Sequence, residues 1–136
     1  MNPESSSTLI ELLESRAKHT PEKTALVIDQ ESLTFSKLWE GICRFGRHLV
    51  RQGAKPGDRI LIVLPNSLEF FYAFYGAQII QAVAVPISPN SGEQRILNLS
   101  TICGASVIVI SSHFPQKQKT NLRITAGQHN IILTSF

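Results

Sequence analysis

Glycine never clusters in this sequence. Its eight glycines stand singly, at positions 41, 46, 53, 57, 76, 92, 104 and 127. A phosphate-binding turn needs glycines so that backbone N–H groups can approach the anion. Neither G-x-G-x-x-G nor G-x-x-x-x-G-K-[ST] occurs, and G-x-S-x-G is absent too. Cysteine is almost as sparse: Cys43 and Cys103 are far apart and outside any C-x-x-C pair, which excludes a disulfide scaffold. Each falls in an apolar helical pattern, where a free thiol behaves as a small hydrophobe. His19, His48, His113 and His129 are scattered without metal-ligand spacing. No run is apolar enough to cross a membrane as a helix, because Glu69, Gln78 and Gln81 interrupt the best stretch, residues 68–87. The N-terminus lacks a positive segment followed by a long apolar one, so no export signal is expected and the cytoplasm is the expected compartment.

Acidic residues are missing from one region only. Residues 1–110 hold ten Lys/Arg and ten Asp/Glu, whereas residues 111–136 hold Lys117, Lys119 and Arg123 and no acid. Three spaced charges make a solvated face rather than a polybasic run, so no nucleic-acid partner is expected. What remains is an ordinary globular composition, 43% hydrophobic and 17% charged over 136 residues. That is enough chain to bury a real core.

The patterning alternates strand and helix. Thr8-Leu9-Ile10-Glu11 has capping-box spacing, and the helix it opens should stop before Thr20-Pro21. Ala25–Ile28 and Leu33–Phe35 read as a hairpin around a turn at residues 29–32. Thr34 then caps a helix whose stripe is Phe35, Leu38, Ile42, Phe45 and Leu49, and Gly53 ends it in left-handed conformation. Lys55-Pro56-Gly57-Asp58 is turn chemistry, with Asp58 either ordering the turn or pairing with Arg59. Arg59–Leu64 is apolar on both faces, as in a parallel sheet covered on both sides.

Asn66 is expected to cap the next helix, with Glu69 as its box partner. That helix is apolar nearly all round, from Leu68 to Ile80, and should lie buried between layers or against another domain. Ala82–Ile87 reads as a buried strand with Pro86 at its end. A helix carrying Ile96, Leu99 and Cys103 closes at Gly104, and Ala105–Ile110 is another buried strand. Residues 112–130 read as a weakly structured basic segment, and Ile131–Leu133 as one more strand. The alternation predicts an α/β fold: a layered, mostly parallel twisted sheet with helices on both faces, plus a short antiparallel hairpin. The helix start after Asn66 favours an anion only weakly. A self-contained binding module would place its ligand at the strand C-terminal ends, near Pro65–Ser67 and Ile87–Asn90. The residues assign no catalytic, cofactor-binding or metal site.

Four stretches, taken in order, resemble the N-terminal part of the adenylate-forming ligases. They are "TLIELLESRAKHTPEKTALVI", "LTFSKLWEGICRFGRHLVRQGAKPGDRILIVLPNSLEFFYAFYGA", "AVAVPISP" and "GASVIVIS". That family comprises acyl-CoA synthetases, fatty-acyl-AMP ligases and the adenylation domains of peptide synthetases. The similarity covers about residues 8–111 and leans toward the acyl-chain ligases. Lys37 stands where the family usually has Glu, and Gln81 where a glycine commonly precedes the A-V-x-V-P strand. The resemblance implies that residues 1–136 form a single, incomplete N-terminal subdomain. It places the Thr/Ser/Gly-rich ATP loop and the catalytic lysine beyond residue 136. ATP and Mg, a fatty acid, and CoA or acyl carrier protein are then expected for the longer enzyme, and no cofactor for this chain alone. The remainder of the ligase would be the partner, and exposed apolar surface would favour self-association.

Overall fold

A computed structural model describes residues 7–136. The export-signal reading rests partly on residues 1–6, which lie outside the described residues. The chain begins with α1 (Leu9–His19), whose capping box is complete: Glu11 N–H donates to Thr8 Oγ1 at 3.2 Å and Thr8 N–H to Glu11 Oε2 at 2.7 Å. It ends before Thr20-Pro21, as the proline requires. The hairpin follows as β1 (Thr24–Ile28) and β2 (Glu31–Thr34), antiparallel. Its turn is tighter than the sequence suggests, because Asp29 takes a positive φ of 53° and frees Glu31 and Ser32 to pair.

Thr34 still caps α2 (Phe35–Arg51), accepting from Lys37 N–H at 3.3 Å. With Lys37 at that position the reciprocal half of the box has no acceptor. Leu38, Ile42, Phe45 and Leu49 are buried as the stripe predicts, and Gly53 lies at φ 95°. Asp58 orders the turn after it, its Oδ2 accepting from Lys55 N–H at 2.8 Å.

The second sheet is parallel, with strands in the order β4 (Val83–Pro86), β3 (Arg59–Val63), β5 (Ala105–Ile110) and β6 (Ile132–Ser135). Helix α2 and α3 (Leu68–Ile79) cover one face; Phe45 and Leu49 pack there with Ile60, Ile62, Val107 and Val109. On the other face α4 (Glu93–Cys103) and α5 (Gln116–Gln128) close over Leu61, Val63, Ile108 and Ile110. Alternate residues of β3 and β5 thus serve two cores, which is why both strands read as unbroken apolar runs.

Three expectations need correction. The strand around Val83–Pro86 is not buried: it is an edge strand, and Val83 is 50% exposed. Helix α3 is not buried between layers of this chain, which leaves the expectation that it packs against another domain. Only Ala73, Gly76 and Ala77 are buried, and its aromatic rings are half-buried, partly stacked on one another (Phe70 on Phe74, centroids 5.8 Å apart). Residues 112–130 are mostly helix, not weakly structured. The helix α5 buries just Leu122 and Ala126 and has no side-chain cap at Pro115, so two positions carry its whole periodic signal.

Gln81 follows the end of α3 at φ 62°, and its carbonyl accepts from Gly57 N–H at 2.9 Å. A side chain in this left-handed region costs about 1 kcal/mol relative to glycine. Gln81→Gly is therefore expected to raise unfolding stability by about that amount. A urea midpoint unchanged or lowered by the substitution would contradict this.

Candidate functional site

In an open parallel sheet, ligands lodge where neighbouring strands send their connections to opposite faces. Both neighbours of β3 meet this condition: the chain leaves β3 into α3 on one face, and leaves β4 and β5 toward α4 and α5 on the other. A cleft of about 190 Å3 opens between β3 and β5, lined by Leu64, Pro65, Ser67 and Glu69 on one side, Ser111–His113 on the other, and Phe136.

The first wall is built by the cap of α3. Ser67, not Asn66, is the N-cap: its Oγ accepts from Phe70 N–H at 3.3 Å and donates to the Pro65 carbonyl at 3.0 Å. With Ser67 as the N-cap, Glu69 falls in the first turn without serving as a box partner. The Ser67 hydroxyl is thereby committed to backbone. In the second wall the His113 N–H donates to Ser111 Oγ at 3.1 Å, and Ser112 Oγ lies 3.4 Å from His113 Nδ1. These contacts shape the loop.

Beside this cleft, between α2 and α3, Arg44, His48, Arg51 and Tyr72 border a larger one of about 410 Å3. Burial holds the Tyr72 phenol above its ordinary range; Glu69 adds to the rise and Arg44 opposes it. Burial likewise raises the Cys43 thiol, which Arg47 only partly offsets, so Cys43 stays a protonated, half-buried hydrophobe.

Of the two loops expected at the strand ends, Pro65–Ser67 lines the cleft. Its other wall is Ser111–His113, not Ile87–Asn90. Both β4 and β5 adjoin β3, and the cleft opens on the β5 side. Sequence alone marked Ser111 as a strand end, but adjacency to β3 follows only from the crossover through α4. No group of three His, Cys, Asp or Glu side chains able to hold a metal occurs among the described residues. No helix among them is long and apolar enough to cross a membrane.

A family model described as AMP-binding enzyme matches residues 13–135. The chain is 30% identical over 135 residues to the long-chain-fatty-acid–CoA ligase of Salmonella typhimurium, covering 98% of this chain and 24% of that protein. It is 31% identical over 119 residues to bacitracin synthase 2 of Bacillus licheniformis, covering 88% of this chain and 5% of that one. Its fold matches the N-terminal subdomain of NpsA from Klebsiella oxytoca, solved with 3-hydroxybenzoyl-AMSN, at a TM-score of 0.75 and 21% identity. That match covers 93% of this chain and 29% of that one. The fold is thus that of the N-terminal domain of the adenylate-forming enzymes, and the chain belongs to the family of AMP-binding enzymes. It spans about a quarter of the length of the curated ligases it matches.

Proposed function

We propose that this chain is the N-terminal frame of a longer ligase. The whole enzyme would activate a carboxylate with ATP, forming an acyl-adenylate and pyrophosphate, and pass the acyl group to CoA or a carrier-protein thiol. A fatty acid is the substrate class and the cytoplasm the compartment. What carries this reading is the near-complete coverage of the chain, 98%, in its alignment with a quarter of a long-chain-fatty-acid–CoA ligase. The similar identity to bacitracin synthase 2 makes an amino acid the competing substrate class.

The residues present do not fit Mg-ATP. The β3–α3 turn holds Pro65 and no glycine, the Ser67 hydroxyl is spent on its own helix, and the metal-ligating residues are dispersed. No catalytic step is assigned to these 136 residues, which act by holding a sheet and two helical layers in place.

The test begins with the reading frame past the codon for Phe136. It should continue into a Thr/Ser/Gly-rich loop ending Pro-Lys-Gly. A stop codon directly after Phe136 would replace this proposal with that of a relic or a self-contained binding module. The polypeptide of the whole frame should then exchange pyrophosphate into ATP when given long-chain fatty acids, and not when given amino acids or aryl acids. Residues 1–136 alone should give no exchange. Exchange driven by amino acids would overturn the substrate class, and exchange by the short chain would overturn its role as a frame.

A further inference from the structure

We propose that the outward face of α2 docks on an anionic lipid surface. Arg47 and Arg51 would meet lipid headgroups, and the cleft between α2 and α3 would take up the methylenes beneath them. This does not depend on the reaction proposed above.

Charge is one-sided along α2. After Glu40 the helix carries Arg44, Arg47, His48 and Arg51 and no acid. Their spacing of three, one and three puts all four on one side of the helix, and the three arginines are exposed. Glu40 is taken by Arg44 at 2.8 Å and Glu14 by Lys18 at 3.1 Å. Glu69 borders the neighbouring cleft with Arg44 and Arg51 but pairs with neither. Among the described residues, Arg47 and Arg51 therefore have no ion-pair partner.

What lies beside these two arginines is apolar. A cleft of about 440 Å3 between α2 and the end of α3 is lined by Cys43, Gly46, Val50, Ile79 and Ile80 together with Arg47 and Arg51. Val50 is 54% exposed, where a merely solvated helix face would be polar. Exposed cations beside an apolar floor suit a bilayer surface, which offers negative headgroups and acyl chains together. The cleft holds no aromatic ring on which a base could stack, which favours lipid over single-stranded nucleic acid.

An apolar face can be bare only because its neighbour lies further along a longer chain. Unpaired arginines differ, because charged side chains are almost never fully buried unless paired. A longer enzyme would keep Arg47 and Arg51 in water or bring acids to them, and only the first arrangement leaves them for lipid.

Flotation should show the 136-residue chain binding vesicles of phosphatidylserine mixed with phosphatidylcholine, and not vesicles of phosphatidylcholine alone. Binding should weaken as salt rises. Arg47→Gln and Arg51→Gln should each weaken it about fivefold, whereas Arg47→Lys, which keeps the charge, should bind like the parent. Val50→Ser should weaken it too, an effect that a purely electrostatic contact would not show. Lys117→Gln, on α5 across the sheet, should change nothing. These positions are exposed, so the fold should persist, and urea midpoints check that it does. The polypeptide of the whole frame should bind with the same dependence on Arg47 and Arg51. No binding by the chain, equal binding to both kinds of vesicle, or a Lys117→Gln loss as large as that of Arg47→Gln would overturn the proposal. So would a longer polypeptide that does not bind, whose own acids would then cover the stripe.

Discussion

Gly76→Val is expected to abolish cooperative unfolding or to lower stability by about 3 kcal/mol or more. Gly76 sits where α3 crosses α2. A methyl group built on it would lie 3.1 Å from Phe45 Cδ1, 3.2 Å from the Gly46 nitrogen and 3.3 Å from the Ile42 carbonyl oxygen. Two of those neighbours are backbone, so relief requires the helices to separate. The facing residue is equally constrained: a Cβ on Gly46 would stand 2.6 Å from Ile79 Cγ2. A β-branched side chain at 76 would therefore force apart the two helices that cover Ile60, Ile62, Val107 and Val109.

Gly127→Ala supplies the internal control. Gly127 lies in α5 with nothing within 4 Å of its added Cβ, so the ordinary helix preference for alanine, up to about 1 kcal/mol, should appear as a gain. Chemical denaturation of both variants decides the matter. A Gly76→Val protein that unfolds like the parent would show that the helix crossing has slack the geometry does not suggest.

That crossing also marks how far the sequence could be read. The apolar stripe of α2 was legible because four buried residues repeat at helical spacing. So were β3 and β5, whose residues serve cores on both sides of the sheet. Nothing in the sequence announced that Gly46 and Gly76 meet, since isolated glycines in helical patterns have no visible partner. Helix α5 was illegible for a different reason: two buried side chains are too few to reveal a period. At the cleft, the helix start after β3 was visible, with Asn66 expected as its cap. Its cap was displaced by one residue, because Asn66 and Ser67 are both good caps and only the geometry selects Ser67. The opposite wall, Ser111–His113, depends on strand order. Strand order is a property of crossovers between elements, and no local pattern carries it.

The contact least readable from sequence supports the second large prediction. His48 and Thr134 are 86 positions apart, and their hydrogen bond ties the outward part of α2 to the edge strand β6. Thr134 is only 8% exposed, so His48→Ala leaves its hydroxyl without that partner in a site water reaches poorly. The expected loss is about 1–3 kcal/mol. Part of it comes from the His48 ring itself, which lies 5.5 Å from that of Phe45.

Thr134→Val in the His48→Ala background removes the orphaned hydroxyl while keeping its volume, and should recover a share of the loss. The two single changes should accordingly fail to add. Urea midpoints for the two single variants and the double variant measure this coupling. Additive effects would mean that the bond contributes nothing to holding β6, and that strand pairing with β5 alone fixes it. Coupling would mean that β6 is fastened from α2 as well. The position of Phe136, which stacks on Phe45 and borders the cleft between the two sheet faces, would then be set by a residue in the first helix of that face.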